Sequence, residues 1–293
     1  MLHLPYQKRP DFFRLNTDSP LSRGLVFAAL GQFPGSDLCH DESLYRNHGL
    51  LTNMDPLTDW VWAPELGRWA LDLDGSNDYI LLPSNVSAML GGVSVAAFGS
   101  WVKRGGTGTR DVMVTLTISA ALSKLAGEFQ ADNTIRFGGR ADAYDSFQSK
   151  ATTATFSSTT NWYHVLGVFD IVNDDILIYV DGILQATSGT PLWTQSTFDP
   201  DAGSSQVLGS GAGGLSNPFV GMLADCVLFT VGPSVSEIAQ LADPSNAMLS
   251  GLILPPRRRI FPAAAAPPAG AIMNQMQGAN LGADLFDGTI LAA

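Results

Sequence analysis

The run from Asn161 to Leu184, NWYHVLGVFDIVNDDILIYVDGIL, leaves few folds open. Trp162, His164, Leu166 and Val168 point one way, and Tyr163, Val165 and Phe169 the other. After Asn173-Asp174-Asp175 the alternation resumes through Ile176, Ile178 and Val180 and stops at Asp181-Gly182. Apolar residues at period two, rich in β-branched and aromatic side chains and bounded by Asn, Asp and Gly, form an antiparallel hairpin. Asp181-Gly182 starts another reversal.

The same punctuation recurs along the chain. Short strand-like runs occupy 24–30, 69–73, 79–82, 93–102, 112–118, 134–137, 206–208 and 219–231, separated by Gly, Asn, Asp and Ser clusters. Many short strands with turns between them predict a sandwich, jelly roll or barrel. Ser234-Val235-Ser236-Glu237 behind Pro233 is a capping box. Ile238 and Leu241 follow at helical spacing and Asp243-Pro244 ends the run, which predicts one short helix.

Composition agrees. Hydrophobic residues make up 45% of the 293, and six Trp among them supply a sizeable core, which excludes disorder of the whole chain. The 27 acids against 16 Lys+Arg leave a net charge of −11, with Asp, a turn former, far commoner than Glu. Such a balance argues against nucleic-acid binding through a basic surface. Cys39 and Cys226 are too few for a disulfide framework and read as buried apolar thiols. The opening MLHLPYQKRPDFF lacks the apolar region of a secretory signal. No run of about 18 apolar residues suggests a membrane span. The expectation is a protein assembled in a cytoplasm.

The ends differ from the middle. Residues 1–22 mix Pro5, Pro10 and Pro20 with basic residues and show no period, so they read as an N-terminal arm. Residues 23–247 form the β domain. Residues 248–293, with PPRRRIFPAAAAPPAG and a tail of scattered apolar residues, read as a C-terminal arm.

The hairpin's W-Y-H-V…I-Y-V-D-G pattern resembles the laminin-G-like, or concanavalin A-like, jelly-roll family. Three further blocks resemble it in the same order. The first is Gly24 to Phe27 with Asp41-Glu42-Ser43 and Arg46-Asn47-His48-Gly49-Leu50. The second is Ala70 to Ile80, with Leu73 where Phe is commoner. The third is Phe219 to Phe229 with the helix behind it. The resemblance covers about residues 22–247 and implies an all-β, antiparallel two-sheet jelly-roll sandwich with one short helix and extended arms. The flanks, L-P-Y-Q-x-R-P, the entry Pro20-Leu21-Ser22-Arg23-Gly24 and the P-R-R-R-x-F-x-P close, resemble jelly-roll proteins encoded among tailed-bacteriophage structural genes. This implies a component of the virion surface, a capsid decoration or head-fibre protein, with other virion subunits as partners and a homo-oligomeric arrangement.

Candidate sites follow from the chemistry of side chains. Calcium takes six to eight oxygens from carboxylates, amides and carbonyls, and the early turns offer Asp41, Asn47, Asp74, Asn77 and Asp78; each also suits a self-closing turn. Asp174, Asp175, Asp199 and Asp201 lie in later turns. Flat rings stack on sugars, and Trp60, Trp62 and Trp193 are the candidate carbohydrate platform, whereas Trp69, Trp101 and Trp162 fall in strand blocks. Arg257, Arg258, Arg259, Phe261, Met273, Met276, Leu285 and Phe286 are candidates for docking to a partner, through guanidinium and apolar anchors. Hydrolysis needs two carboxylates about 5 to 10 Å apart. Glu128 stands without an E-x-D-x-E strand, so no catalytic residue is assigned and no cofactor is required. The reading is a non-enzymatic virion structural protein. A tail adhesin or carbohydrate-binding module for host glycans is the alternative, and a glycan hydrolase the second.

Overall fold

The computed structural model describes residues 14–254 apart from 31, 33, 120–121, 204, 213–215 and 247–251. All of them lie in the first of two units, Met1–Pro255 and Pro256–Ala293. Among the described residues no helix is long and apolar enough to cross a membrane.

Two antiparallel sheets make the sandwich. One has nine strands in the order Thr187–Ser188, Gln148–Thr152, Ile135–Gly139, Ser123–Phe129, Asp111–Thr117, Gln206–Leu208, Tyr79–Leu82, Gly49–Thr52 and Leu38–Cys39. The other has eight. Its path runs Ile183–Leu184, Asp175–Val180, Tyr163–Asp170, Val95–Arg104, Val220–Phe229, Arg68–Asp74 and Trp60–Ala63, and Leu25–Ala29 also pairs with Val220–Phe229. Sequence neighbours pair within each sheet, but Val220–Phe229 lies between Val95–Arg104 and Arg68–Asp74, the long-range closure that a jelly roll requires.

The hairpin alternates as its sequence predicts. Tyr163, Val165 and Phe169, then Ile176, Ile178 and Val180, face the main core between the sheets. Leu166 and Val168 face the opposite side. Asp181 and Gly182 both take positive φ, 51° and 77°, which a two-residue reversal between twisted strands demands. The centre of the core is set by close approach. A Cβ on Gly167 would stand 2.3 Å from the Phe137 ring, so only glycine lets the two sheets meet around that side chain. Arg104 also points inward, fully buried. It donates to Asp111 at 2.8 Å, to Asn133 Oδ1 at 2.7 Å and to the Phe156 carbonyl at 3.2 Å, and lies over the Phe129 ring. Buried charge is tolerated where it is paired and bonded in this way.

The outer face of the eight-stranded sheet is covered by the chain itself. Leu166, Val168, Val227 and Phe229 pack beneath Ile238 and Leu241 of helix α1 (Val235–Leu241) and beneath Leu252. The helix begins at the expected capping box: Ser234 Oγ accepts from Glu237 N, and Glu237 accepts from Ser234 N. Further along that face His164 is buried edge-on to Trp101, ring centroids 5.3 Å apart. Burial, and then the charge of Arg68, push the imidazole down to about 3, so it is neutral at physiological pH. Arg68 itself is buried, paired to Asp225, and donates to the Leu66 and Pro244 carbonyls. Cys39 and Cys226 are both buried, and burial pushes the Cys226 thiol up to about 12.

The packed unit extends past 23–247. Arg14 pairs with Leu254 and Leu15 with Ile253 in a two-stranded ribbon, and Leu21, Leu252 and Ile253 are buried in the outer apolar cluster. Segments read from sequence as arms thus contribute to the fold where their apolar residues find the sheet. The docking candidates Arg257, Arg258, Arg259, Phe261, Met273, Met276, Leu285 and Phe286 lie outside the described residues.

Candidate functional site

The early-turn oxygens close turns. Asp41 is fully buried, and its two oxygens accept four bonds, from Ala28 N, Ser43 N, Ser43 Oγ and Asn47 N at 2.7 to 2.8 Å. Four donors use a carboxylate's lone pairs, so Asp41 ties the 41–47 turn to strand Leu25–Ala29 and presents nothing to a cation. Asn47 donates to the Val26 carbonyl and accepts from Asn85. Asp74 Oδ1 accepts from Ser76 N at 2.7 Å and Asn77 N at 3.3 Å, the former above all holding its carboxyl below the usual range. Asp78 accepts from Asp74 N; burial pushes it up, and the charges of Asp74, Asp59 and Asp72 add to this. Asn77 is exposed and its carbonyl accepts from Asn53. Among the described residues no three His, Cys, Asp or Glu side chains gather as a metal-binding set.

The tryptophans separate by depth. Trp60 is 4% exposed and donates from Nε1 to the Ser36 carbonyl, and Trp193 is 7% exposed within the main core. No sugar face reaches either ring, because both supply the apolar packing that an alternating strand and a loop bury in the sandwich. Trp62 is 48% exposed and packs edge-on against Trp69, centroids 5.6 Å apart.

The arrangement with most chemistry lies on the outward face of the nine-stranded sheet. Ile135 and Phe137 point into the core, so Arg136 and Gly138 point out. Glu128 is the cross-strand partner of Arg136 and shares its face. One oxygen of Glu128 accepts from Arg136 Nη2 and Gln130 Nε2, the other from Arg110, at 2.7 Å from Nε and 2.5 Å from Nη2. Both oxygens of the isolated glutamate are therefore engaged by neighbouring donors. Through these donors it ties strand Ser123–Phe129 to strand Ile135–Gly139 and to the segment entering Asp111–Thr117.

Beside this network sits an aromatic platform. The Phe147 ring lies on Gly138: a Cβ there would come within 2.6 Å of the ring and 2.7 Å of the Gln148 carbonyl. Arg136 and Arg140 bracket the ring, their guanidinium carbons 5.7 and 5.3 Å from its centroid, within cation–π range. The loop between Arg140 and Phe147 is braced from several sides. Arg140 Nε donates to the Asp145 carbonyl at 3.1 Å, Tyr144 N to Asp142 Oδ1 at 2.7 Å, and Thr194 Oγ1 to Asp145 Oδ1. Leu192 N donates to Gln148 Oε1, tying in a second loop. Tyr144 at the tip is 98% exposed. Nothing in the strand pattern marks these residues from sequence. Only the register Gly138↔Ser149 brings the Phe147 loop over Gly138.

Elsewhere, Lys124 Nζ is buried and donates to the Ser87, Asp199 and Asp201 carbonyls at 3.0, 2.8 and 2.5 Å. Burial draws its pKa down to about 8 despite the nearby Asp199 and Asp201 charges. The later-turn aspartates 199 and 201 thus serve the fold through their backbone.

Comparison with known proteins places this architecture. No curated protein matches the chain in sequence. Among solved structures it is similar to Trypanosoma rangeli sialidase in complex with the inhibitor DANA, at 16% identity and TM-score 0.54, over 77% of this chain and 33% of that one. The same sialidase in complex with sialic acid matches at 16% and 0.53, over 75% and 32%. The binding domain of Paraclostridial Mosquitocidal Protein 1 matches at 17% and 0.53, over 76% and 52%. The chain spans about a third of the sialidase and half of the binding domain, and at these identities the likeness is one of fold. The model of the concanavalin A-like lectin/glucanase superfamily, in its laminin-G form, matches residues 74–239, from the Asp74 turn into helix α1. With more than half of its length matched and two jelly-roll sheets to bear it out, the chain belongs to the concanavalin A-like lectin/glucanase superfamily.

Proposed function

We propose that this chain is a non-enzymatic structural protein of a tailed-phage particle, a decoration or head-fibre protein held by its flanking segments with its jelly roll facing outward. The observation that carries the reading is the ribbon Arg14–Leu15 with Ile253–Leu254. Arg14 and Leu254, the first and last described residues, are cross-strand partners there, so a partner gripping the flanks would hold the domain by one point and leave the rest for display. The flanks supply the resemblance to phage structural proteins and the anchoring chemistry, with Arg257, Arg258 and Arg259 suited to bidentate pairing and Phe261 to an apolar pocket. Repetition on a symmetric lattice multiplies modest contacts into stable attachment. Removal of residues 256–293, the whole second unit, tests this. The shortened chain is expected to fold and to be missing from purified particles; undiminished incorporation would refute the anchoring role.

A second reading, a tail adhesin for host glycans, is favoured by the braced loop that presents Tyr144 to solvent. An aromatic ring held out at the tip of a rigid loop does nothing for the core and suits a ligand. The engagement of both Glu128 oxygens weighs against the hydrolase alternative.

A further inference from the structure

We propose that the cavity between residues 16–20 and the start of helix α1 receives a basic side chain, arginine or lysine, from a neighbouring protein subunit. The inference rests on the anchoring reading and names the chemistry of the partner on that side.

Three observations carry it. First, the cavity has a volume of about 370 Å3, and Asp18, Ser19, Pro20, Ser236, Glu237 and Gln240 are among the residues that line it. Sites that take small organic groups enclose about 300 to 1,000 Å3, and a bare metal ion would not fill one. Second, two of its polar side chains are nine-tenths buried and carry an atom that bonds nothing among the described residues. Ser19 is 9% exposed, and its hydroxyl makes no hydrogen bond there. Glu237 is 6% exposed; its Oε2 accepts from Ser234 N at 2.6 Å, whereas Oε1 receives no donor. Buried acceptors are normally satisfied, and these two line a space that a ligand can enter. Third, the lining has charge of one sign. Asp18 and Glu237 are its two charged residues, and the Asp18 carboxylate also accepts nothing from the described residues, its backbone N donating to Asn16 Oδ1 instead.

The nearest cation does not meet this need. Arg23 lies outside the lining, in an adjoining crevice with Pro20, Leu21 and Phe229. Its Nη2 stands 3.9 Å from Oε2, the oxygen that the capping box already uses. An ammonium or guanidinium brings several N–H donors together with the missing charge, and its aliphatic stem can lie against Pro20. A sugar suits the cavity less, because no aromatic ring among the described residues lines it.

The position agrees with anchoring. Residues 16–20 follow directly on the strand Arg14–Leu15, and Asn16 N donates to the Leu252 carbonyl at 2.7 Å, so the cavity adjoins the ribbon. A subunit gripping the flanks would meet it there, and a basic segment complements a chain of net charge −11.

The test is titration of the full chain, by calorimetry and NMR, with end-capped Gly-Arg-Gly and Gly-Lys-Gly peptides. The citrulline analogue, which keeps the shape of the arginine peptide without its charge, is the reference. At least one basic peptide is expected to bind about tenfold or more tightly than the citrulline peptide, with an affinity that falls as salt rises. Asp18→Asn and Glu237→Gln are each expected to weaken it by about threefold to tenfold. Asp18→Asn removes a carboxylate that holds nothing in the fold, and Glu237→Gln keeps a capping-box residue, so both chains fold, which circular dichroism verifies. Absence of binding at millimolar peptide, equal binding of charged and neutral peptides, or binding unmoved by both substitutions would overturn the assignment of the cavity. In particles, Asp18→Lys puts a cation at the cavity and is expected to lower incorporation several-fold with residues 256–293 intact; undiminished incorporation would overturn the partner. The anchoring reading fails separately, by undiminished incorporation of the chain that lacks residues 256–293.

Discussion

The two outer faces of the sandwich are made of the same kind of strand and treated in opposite ways. On the eight-stranded sheet, Leu166, Val168, Val227 and Phe229 are sealed by helix α1 and by Leu252, and His164 is buried deeply enough to stay neutral. On the nine-stranded sheet the outward row is Glu128, Arg136 and Gly138, with a guanidinium network and a loop that offers Tyr144 to water. A jelly roll has two outer faces but needs only the space between its sheets to fold. Here one face is covered by Leu21, helix α1 and Leu252, and the other carries a polar network beneath the loop that exposes Tyr144. This division is why anchoring is assigned to the ribbon side and ligand recognition to the loop side.

Substitutions separate the two faces. Phe229→Ala, on the sealed side, is expected to cost about 3–5 kcal/mol in urea unfolding, because the helix lid cannot collapse into the space. A cost under about 1 kcal/mol would mean that the lid is not packed as described. On the open side Gly138→Ala is expected to cost about 1–3 kcal/mol, since the added methyl meets both the Phe147 ring and the Gln148 carbonyl. It should also shift the fluorescence or NMR signals of the 140–148 loop; an unperturbed loop would show that Gly138 is not its seat.

A third effect, spread over several pH units, is one of pH. His164 binds its proton near 6.5 when unfolded and near 3 when folded, so the unfolded state holds more protons between those values. Stability therefore rises with pH from about 3 to 6.5 and is flat for this group above, with a slope of at most about 1.4 kcal/mol per pH unit. His164→Phe should flatten that part of the profile relative to the parent chain. An identical acid slope in the variant would place the imidazole in contact with solvent.

Strands with clean alternation were legible before any coordinates. The hairpin 161–184, the 79–82 and 206–208 runs and the capping box at Ser234 all appear where their residues place them. Other strands were hidden for local reasons. Ser123–Phe129 carries two register irregularities against Asp111–Thr117, which break its period, and Gln148–Thr152 is a polar strand beside the two-residue strand at the sheet's edge. Trp60 and Trp193 looked like platforms because turn residues surround them, yet both rings turn inward. The Asp41 turn was recognised as a motif, but that all four of its acceptor positions are used is a fact of geometry. The open-face site was illegible because it joins residues from neighbouring strands and loops. Arg136 reads as a spacer between two core residues until register sets it against Glu128.

Immunogold labelling of intact phage particles with antibody to the jelly roll tests the central claim most directly. Surface display held by the flanks predicts regular label on the outside of the particle, and label that is lost when residues 256–293 are removed. Particles that carry no label, or that expose the antigen only after disruption, would contradict it.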